Sequence, residues 1–165
     1  QYHPLVESDD FSEWNPEQKR LFGTFGWKSC WQFNHEPELS WIENDAEKGC
    51  LRMVCRKQCK NVTQAVNTIT QRMKFPVCIT EVTVDAEGIK DGDYAGMCAL
   101  QGCYGIAAVT KRDGQMLLVM RSLEAEHDSI EGNQGNSEEI EWEAVAVESS
   151  KIRIRMEDGF PEPAR

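Results

Sequence analysis

Positive charge is scarce in this sequence of 165 residues: 18 lysines and arginines stand against 28 aspartates and glutamates, a formal net charge of -10. Such a balance repels a phosphate backbone and an anionic membrane surface, so neither nucleic acid nor membrane is an expected partner. No apolar run approaches the ~20 residues of a membrane span. The opening QYHPLVESDD has neither the charged nor the apolar region of a secretory leader. It reads as a linker, residues 1–8, entering one domain over residues 9–165. A chain of this length has room for a single core.

Histidine is rare (His3, His35 and His127), and G-x-S-x-G, H-E-x-x-H, P-loop and G-x-G-x-x-G motifs are all missing, which removes the usual signatures of nucleophilic, zinc and nucleotide chemistry. Carboxylates are plentiful, yet glycosidic hydrolysis needs two of them held at a set separation in a cleft. Independent catalysis is therefore not expected. Helix signals are equally thin. NPEQKRLF offers Asn15 as N-cap and Pro16 at the first helical position, with room for a turn or two before Gly23,. EAEHDSIEGNQGNSEE (124–139) reads as a solvated acidic loop.

No C-x-x-C pair occurs among the seven cysteines, Cys30, Cys50, Cys55, Cys59, Cys78, Cys98 and Cys103. A disulfide framework prefers an even number, so reduced thiols and a cytoplasmic setting are expected, with an extracellular one if a leader lies upstream. Cys55-x-x-x-Cys59 has no second half at zinc-site distance, and the set reads as small buried apolar residues plus one exposed thiol. Asn61-Val62-Thr63 matches the glycosylation sequon, a triplet frequent by chance.

What the sequence does have is alternation of period two, the mark of half-buried strands. VCITEVTV (77–84) is rich in β-branched residues, and GCLRMVC sets Leu51, Met53 and Cys55 against Arg52 and Arg56. CYGIAAVT and QMLLVM flank Asp113-Gly114, a hairpin signal because glycine tolerates positive φ. In EIEWEAVAVESSKIRIRM, a loop at Glu148, Ser149 and Ser150 would pair Ala146 with Ile152, Ala144 with Ile154 and Trp142 with Met156. Glu143 then meets Arg155 on the outer face. With no internal repeat, the composite is an all-β, antiparallel β-sandwich.

The stretch DGDYAGMCALQGCYGI (91–106) could hold a metal or redox site, a calcium loop, or two strands. Asp91-Gly92-Asp93 resembles the start of a calcium loop, but Ala95, Met97 and Ala99 stand where oxygen ligands belong. A structural calcium built from backbone carbonyls and Asp9 or Asp10 stays open; no other cofactor is expected. On one extended strand Cys98 and Cys103 point to opposite faces, roughly 16 Å apart, unless Gly102 folds the chain back. Aromatic residues crowd GWKSCWQFNHEPELSW, where Trp31 and Phe33 read as core while Trp27 and Trp41 are freer. Indole faces beside polar amides suit sugar binding, and tryptophan cores are the competing explanation. Alternation over NTITQRM puts Asn67, Ile69, Gln71 and Met73 on one face and Arg72 on the other, facing a groove. Gln101 lies in an otherwise apolar stretch, where a buried amide needs a partner or a ligand. Trp27, Trp41, Arg72 and Gln101, with Tyr104, are the candidate sugar-binding residues.

CWQFNHEPELSW, GCLRM, NTITQRMKFP and VDAEGIKDGDYAGMCALQGCYGIAAV resemble, in order and spacing, the C-terminal module of glycoside hydrolase family 43 enzymes of the β-xylosidase type. The similarity runs from Asp10 to Met120 and is most specific from Asp91 to Tyr104. That module is a concanavalin-like β-sandwich (a jelly roll), also classed as carbohydrate-binding module family 91. The resemblance implies an accessory role in xylan degradation, in an enzyme of β-xylosidase or α-L-arabinofuranosidase type. In such enzymes the catalytic carboxylates belong to a separate five-bladed propeller, on which the sandwich packs, and some members are credited with binding xylan or xylo-oligosaccharides. A packing module without sugar affinity is the alternative. The family's module continues past KIRIRM through further strands, whereas this sequence stops at EDGFPEPAR. The resemblance thus implies a sandwich incomplete at its C-terminus, with unpaired edges through which copies could self-associate. EWNPEQKRLFGTFGW is longer than the matching segment of the family.

Overall fold

The computed structural model describes residues 4–15, 26–124 and 138–159. Ten strands and two short 3₁₀ turns form the regular structure of these residues. The expected helix start at Asn15 and Pro16 runs into residues 16–25, and most of the acidic loop into residues 125–137, both outside the described residues. The chain divides into two compact units, Gln1–Lys74 and Phe75–Arg165.

Side-chain amides, as much as strands, hold the first unit. β1 (Gln32–Phe33) pairs antiparallel with β4 (Ile69–Thr70), and β2 (Ile42–Asp45) with β3 (Cys50–Met53). Buried Asn67 sits at φ +64°, a left-handed conformation that asparagine visits more readily than most residues,. Its amide accepts from the Glu38 N–H at 2.9 Å and donates to the Glu38 carbonyl at 3.0 Å. Gln71 does the same for Glu7, at 3.1 and 3.0 Å, which ties down part of the segment read as a linker. Each amide stands in for a neighbouring strand and satisfies backbone groups that need partners. The alternation over NTITQRM therefore yields a strand of only Ile69 and Thr70, because Asn67 and Gln71 serve other segments. Met53, at the end of β3, and Cys55, beyond it, are exposed and do not share a buried face with Leu51.

The second unit is a regular β structure of β5 (Val77–Asp85), β6 (Tyr94–Gln101), β7 (Cys103–Arg112), β8 (Gln115–Leu123), β9 (Ile140–Ala146) and β10 (Lys151–Gly159). Strands β6, β7, β8 and β9 form an antiparallel sheet in sequence order, and β10 pairs with β5 in a two-stranded sheet that lies against β6 and β7. Val109, Val119, Ala108 and Thr110 are fully buried at the centre, with Ile154 from β10 and Cys78 from β5. The β7–β8 hairpin turns at Asp113 and Gly114, both at positive φ, as that dipeptide demands.

Two expectations are corrected. β9 and β10 do not form a hairpin: β9 adds to β8, whereas β10 crosses to β5. The Val147 N–H still donates to the Met116 carbonyl after β8's partner strand ends, but the Ser150 carbonyl already accepts from Ala86, next to β5. Arg155 consequently faces Glu81, Met156 faces Thr80, and Glu143 faces Met120. The alternation was sound, but any strand of matching pattern can take the place of the nearest one. The second correction lies at Gly102, whose φ of +77° reverses the chain so that Gln101 faces Cys103 and Cys98 faces Ile106. Cys98 and Cys103 stay on opposite faces of a folded-back pair, not along a single straight strand.

Candidate functional site

Strands β8 and β9 meet at an irregularity. Met120 faces Glu143 while the next residue, Arg121, faces Glu141, so Trp142 is an extra residue in β9. Such a β-bulge bends the strand and re-aims its side chains. The two faces of the sheet are occupied very differently around it.

One face carries a network of two arginines, two glutamates and two tyrosines. Arg112 forks onto Glu141, with Nη1 donating to Oε1 at 2.8 Å and Nη2 to Oε2, and Nη2 also reaches the Tyr94 hydroxyl at 3.4 Å. Arg121 pairs with Glu139 and lies 5.0 Å from the centre of the Tyr94 ring. The Tyr104 hydroxyl donates to Glu139 Oε1 at 2.7 Å. The register places Tyr94, Tyr104, Arg112 and Arg121 on this face, and partly buried charges there require partners of opposite sign. The Arg112 guanidinium holds the Glu141 carboxyl below its ordinary range, and Glu141 in turn raises Arg112. A carboxyl kept ionised in this way is poorly suited to give up a proton as a general acid. What the network does is fasten the start of β9, and the residue before it, to β6, β7 and β8 just ahead of the bulge.

The opposite face presents Trp142. Its indole N–H donates to the Ser122 hydroxyl at 2.9 Å, while the residue stays 61% exposed. Met120, 54% exposed, and exposed Ile140 lie on the same stretch of β8 and β9, and exposed Glu143 follows Trp142 in the strand. The hairpin register read from the sequence puts Trp142 on the inner face, opposite Met156, and the structure corrects this. Alternation says that Trp142 and Glu141 point in opposite directions, but it does not say which face is covered, and so the residue was missed.

The sequence-derived candidates are dispersed. Trp27 is 5% exposed, its indole N–H donating to Asn44 Oδ1 at 3.0 Å and its ring tilted against Phe33 at 5.7 Å; the expectation of a freer Trp27 is corrected. Trp41 closes a 3₁₀ turn, half-buried, its carbonyl accepting from Val54. Arg72 is exposed beyond β4. In the second unit Gln101 is exposed at the end of β6, not buried, and Tyr104 is buried. The register sets Gln101 and Tyr104 on opposite faces, so they do not converge. Asp9 accepts from the Phe11 N–H at 2.9 Å and the Trp31 indole at 2.8 Å, and Asp10 from the Ser12 N–H and hydroxyl at 3.0 and 2.6 Å. These two aspartates line an open cleft of about 300 Å³ with Ser8, Ser12, Glu13 and Lys28. Among the described residues, no three His, Cys, Asp or Glu side chains are placed to share a metal ion.

Residues 22–159 match the profile of the β-xylosidase C-terminal concanavalin A-like domain of glycoside hydrolase family 43. The chain belongs to this family. The antiparallel sheets described above are thus those of an all-β, concanavalin-like sandwich. A solved structure of a bifunctional GH43-CE protein from Bacteroides eggerthii is similar to this family 43 module, with a TM-score of 0.73 and 31% identity. The similarity covers 93% of the module but only 17% of that chain. No curated protein matches it at a significant level.

Proposed function

We propose that the chain is a non-catalytic accessory module of a xylan-degrading enzyme, of β-xylosidase or α-L-arabinofuranosidase type, which packs on a separate catalytic propeller through the outer face of β5. The observation that carries this reading is an exposed apolar row. Phe75, just ahead of the strand, Val77 and Ile79 are 64%, 49% and 52% exposed. Further along, the same face turns charged, with Glu81 paired to Arg153 and Arg155. Apolar side chains in a contiguous row with a charged rim suit a surface that another protein covers. The module's small share of the Bacteroides eggerthii chain supports a role within a larger polypeptide. The Arg112 pair keeps Glu141 ionised and so unsuited to act as a general acid,.

Mixing the chain with a separately produced propeller tests this reading. The propeller's melting temperature should rise with the intact module and rise less with the Val77→Ser, Ile79→Ser double variant. No rise with the intact module would refute packing. A reducing compartment is proposed as well, supported by the buried thiols of Cys30 and Cys78. A second function, affinity for xylan or xylo-oligosaccharides, is favoured by one observation: an exposed indole on a braced strand.

A further inference from the structure

We infer that Trp142 is a stacking platform for a neutral pyranose, with xylose units of a β-linked chain as the ligand class. This inference rests on the sugar-binding reading and assigns it a place. Trp142 is the most exposed of the chain's tryptophans whose exposure is large, at 61% against 46% for Trp14, while Trp27 is buried and Trp31 and Trp41 are half-buried. An exposed indole is usually mobile, and this one is held. Its N–H is bound to Ser122, its backbone is the extra residue of the bulge, and its neighbour Glu141 is clamped by Arg112 from the other face of the sheet. A ring fixed before binding loses little freedom when a ligand stacks on it.

The chemistry around the ring selects the ligand. A pyranose offers a flat C–H face to the indole, whose π cloud is the negative side of the ring. Its hydroxyls need acceptors and donors at the edge. Ser122 supplies a hydroxyl, and the exposed Glu143 carboxylate, which forms no ion pair among the described residues, supplies an acceptor. An exposed carboxylate beside the platform repels an acidic sugar, and the chain's net charge of -10 acts in the same direction,. A neutral sugar face is what remains.

The test is a calorimetric titration of the 165-residue chain with xylohexaose, repeated for Trp142→Ala and Trp142→Phe, with far-UV circular dichroism to confirm that each variant is folded. Binding by the intact chain, weakened about tenfold or more in the alanine variant and largely kept in the phenylalanine variant, is the expected result. If the intact chain and both variants bind equally, the assignment to Trp142 is wrong, and sugar binding survives elsewhere on the molecule. If the intact chain gives no heat at millimolar ligand, sugar binding and this assignment fall together.

Discussion

Gly96 illustrates how little room a single residue can have. A Cβ built there would stand 2.1 Å from the Ala107 carbonyl oxygen and 2.5 Å from the Ala108 Cα. Both obstacles are backbone of the hydrogen-bonded neighbour strand β7, which cannot swing aside as a flexible side chain would. Gly96→Ala should therefore cost about 1–3 kcal/mol or more of stability, read as a lower urea midpoint; an unchanged midpoint would show that β7 can yield. Asn67 gives a second case. Truncating it to alanine leaves the Glu38 N–H and carbonyl without their partners, and a loss of about 1–3 kcal/mol is expected by the same measurement. Glycine and asparagine are legible in the sequence as residues that tolerate special backbone. Their partners, Ala107 and Glu38, are fixed only by pairing across the fold.

At the scale of elements, the strands were legible and their neighbours were partly so. β5 and the β7–β8 hairpin follow from β-branched runs and from Asp113-Gly114, because those signals are local. β9 and β10 were each recognisable as strands, yet adjacency in sequence suggested a pair that the ladder does not make. The ion-pair network gives β9 a pH dependence of determinate sign. Glu141 titrates below its unfolded value, which is about 4.3 for glutamate,. Its contribution to stability is thus fully present above that pH and is lost as pH falls through the lower folded value. Glu81, lowered by Arg153 on β10, behaves alike. Urea midpoints should fall between pH 5 and pH 3, and Glu141→Gln should lower the midpoint at neutral pH while flattening this acid limb. An equally steep limb in the variant would mean that the Arg112 pair contributes nothing to the pH response.

For the whole molecule, two surfaces invite different partners. The row of Phe75, Val77 and Ile79 is apolar and suits a protein, whereas the Trp142 platform mixes a flat ring with a hydroxyl and a carboxylate and suits a sugar. They lie on different sheets, β5 with β10 and β9 with β6 to β8, which makes the two proposals independent: the Val77→Ser, Ile79→Ser variant should lose its effect on the propeller and keep its response to xylohexaose. Losing both would indicate that the substitutions had unfolded the second unit. Negative charge spread over the chain disfavours polyanions at either surface,.

Composition and pattern alone determined an all-β chain, the strands of its regular half, one hairpin turn, and the motifs that resemble the family 43 module. All of these rest on interactions between residues close together in sequence, or on order and spacing along it. Tertiary structure decided which strand stands beside which, which face is covered, and hence that Trp27 is core while Trp142 faces solvent. Alternation fixes only that neighbours point opposite ways. Which way is inward depends on partners far along the chain, and in β9 a single extra residue and two arginines from other strands set the answer.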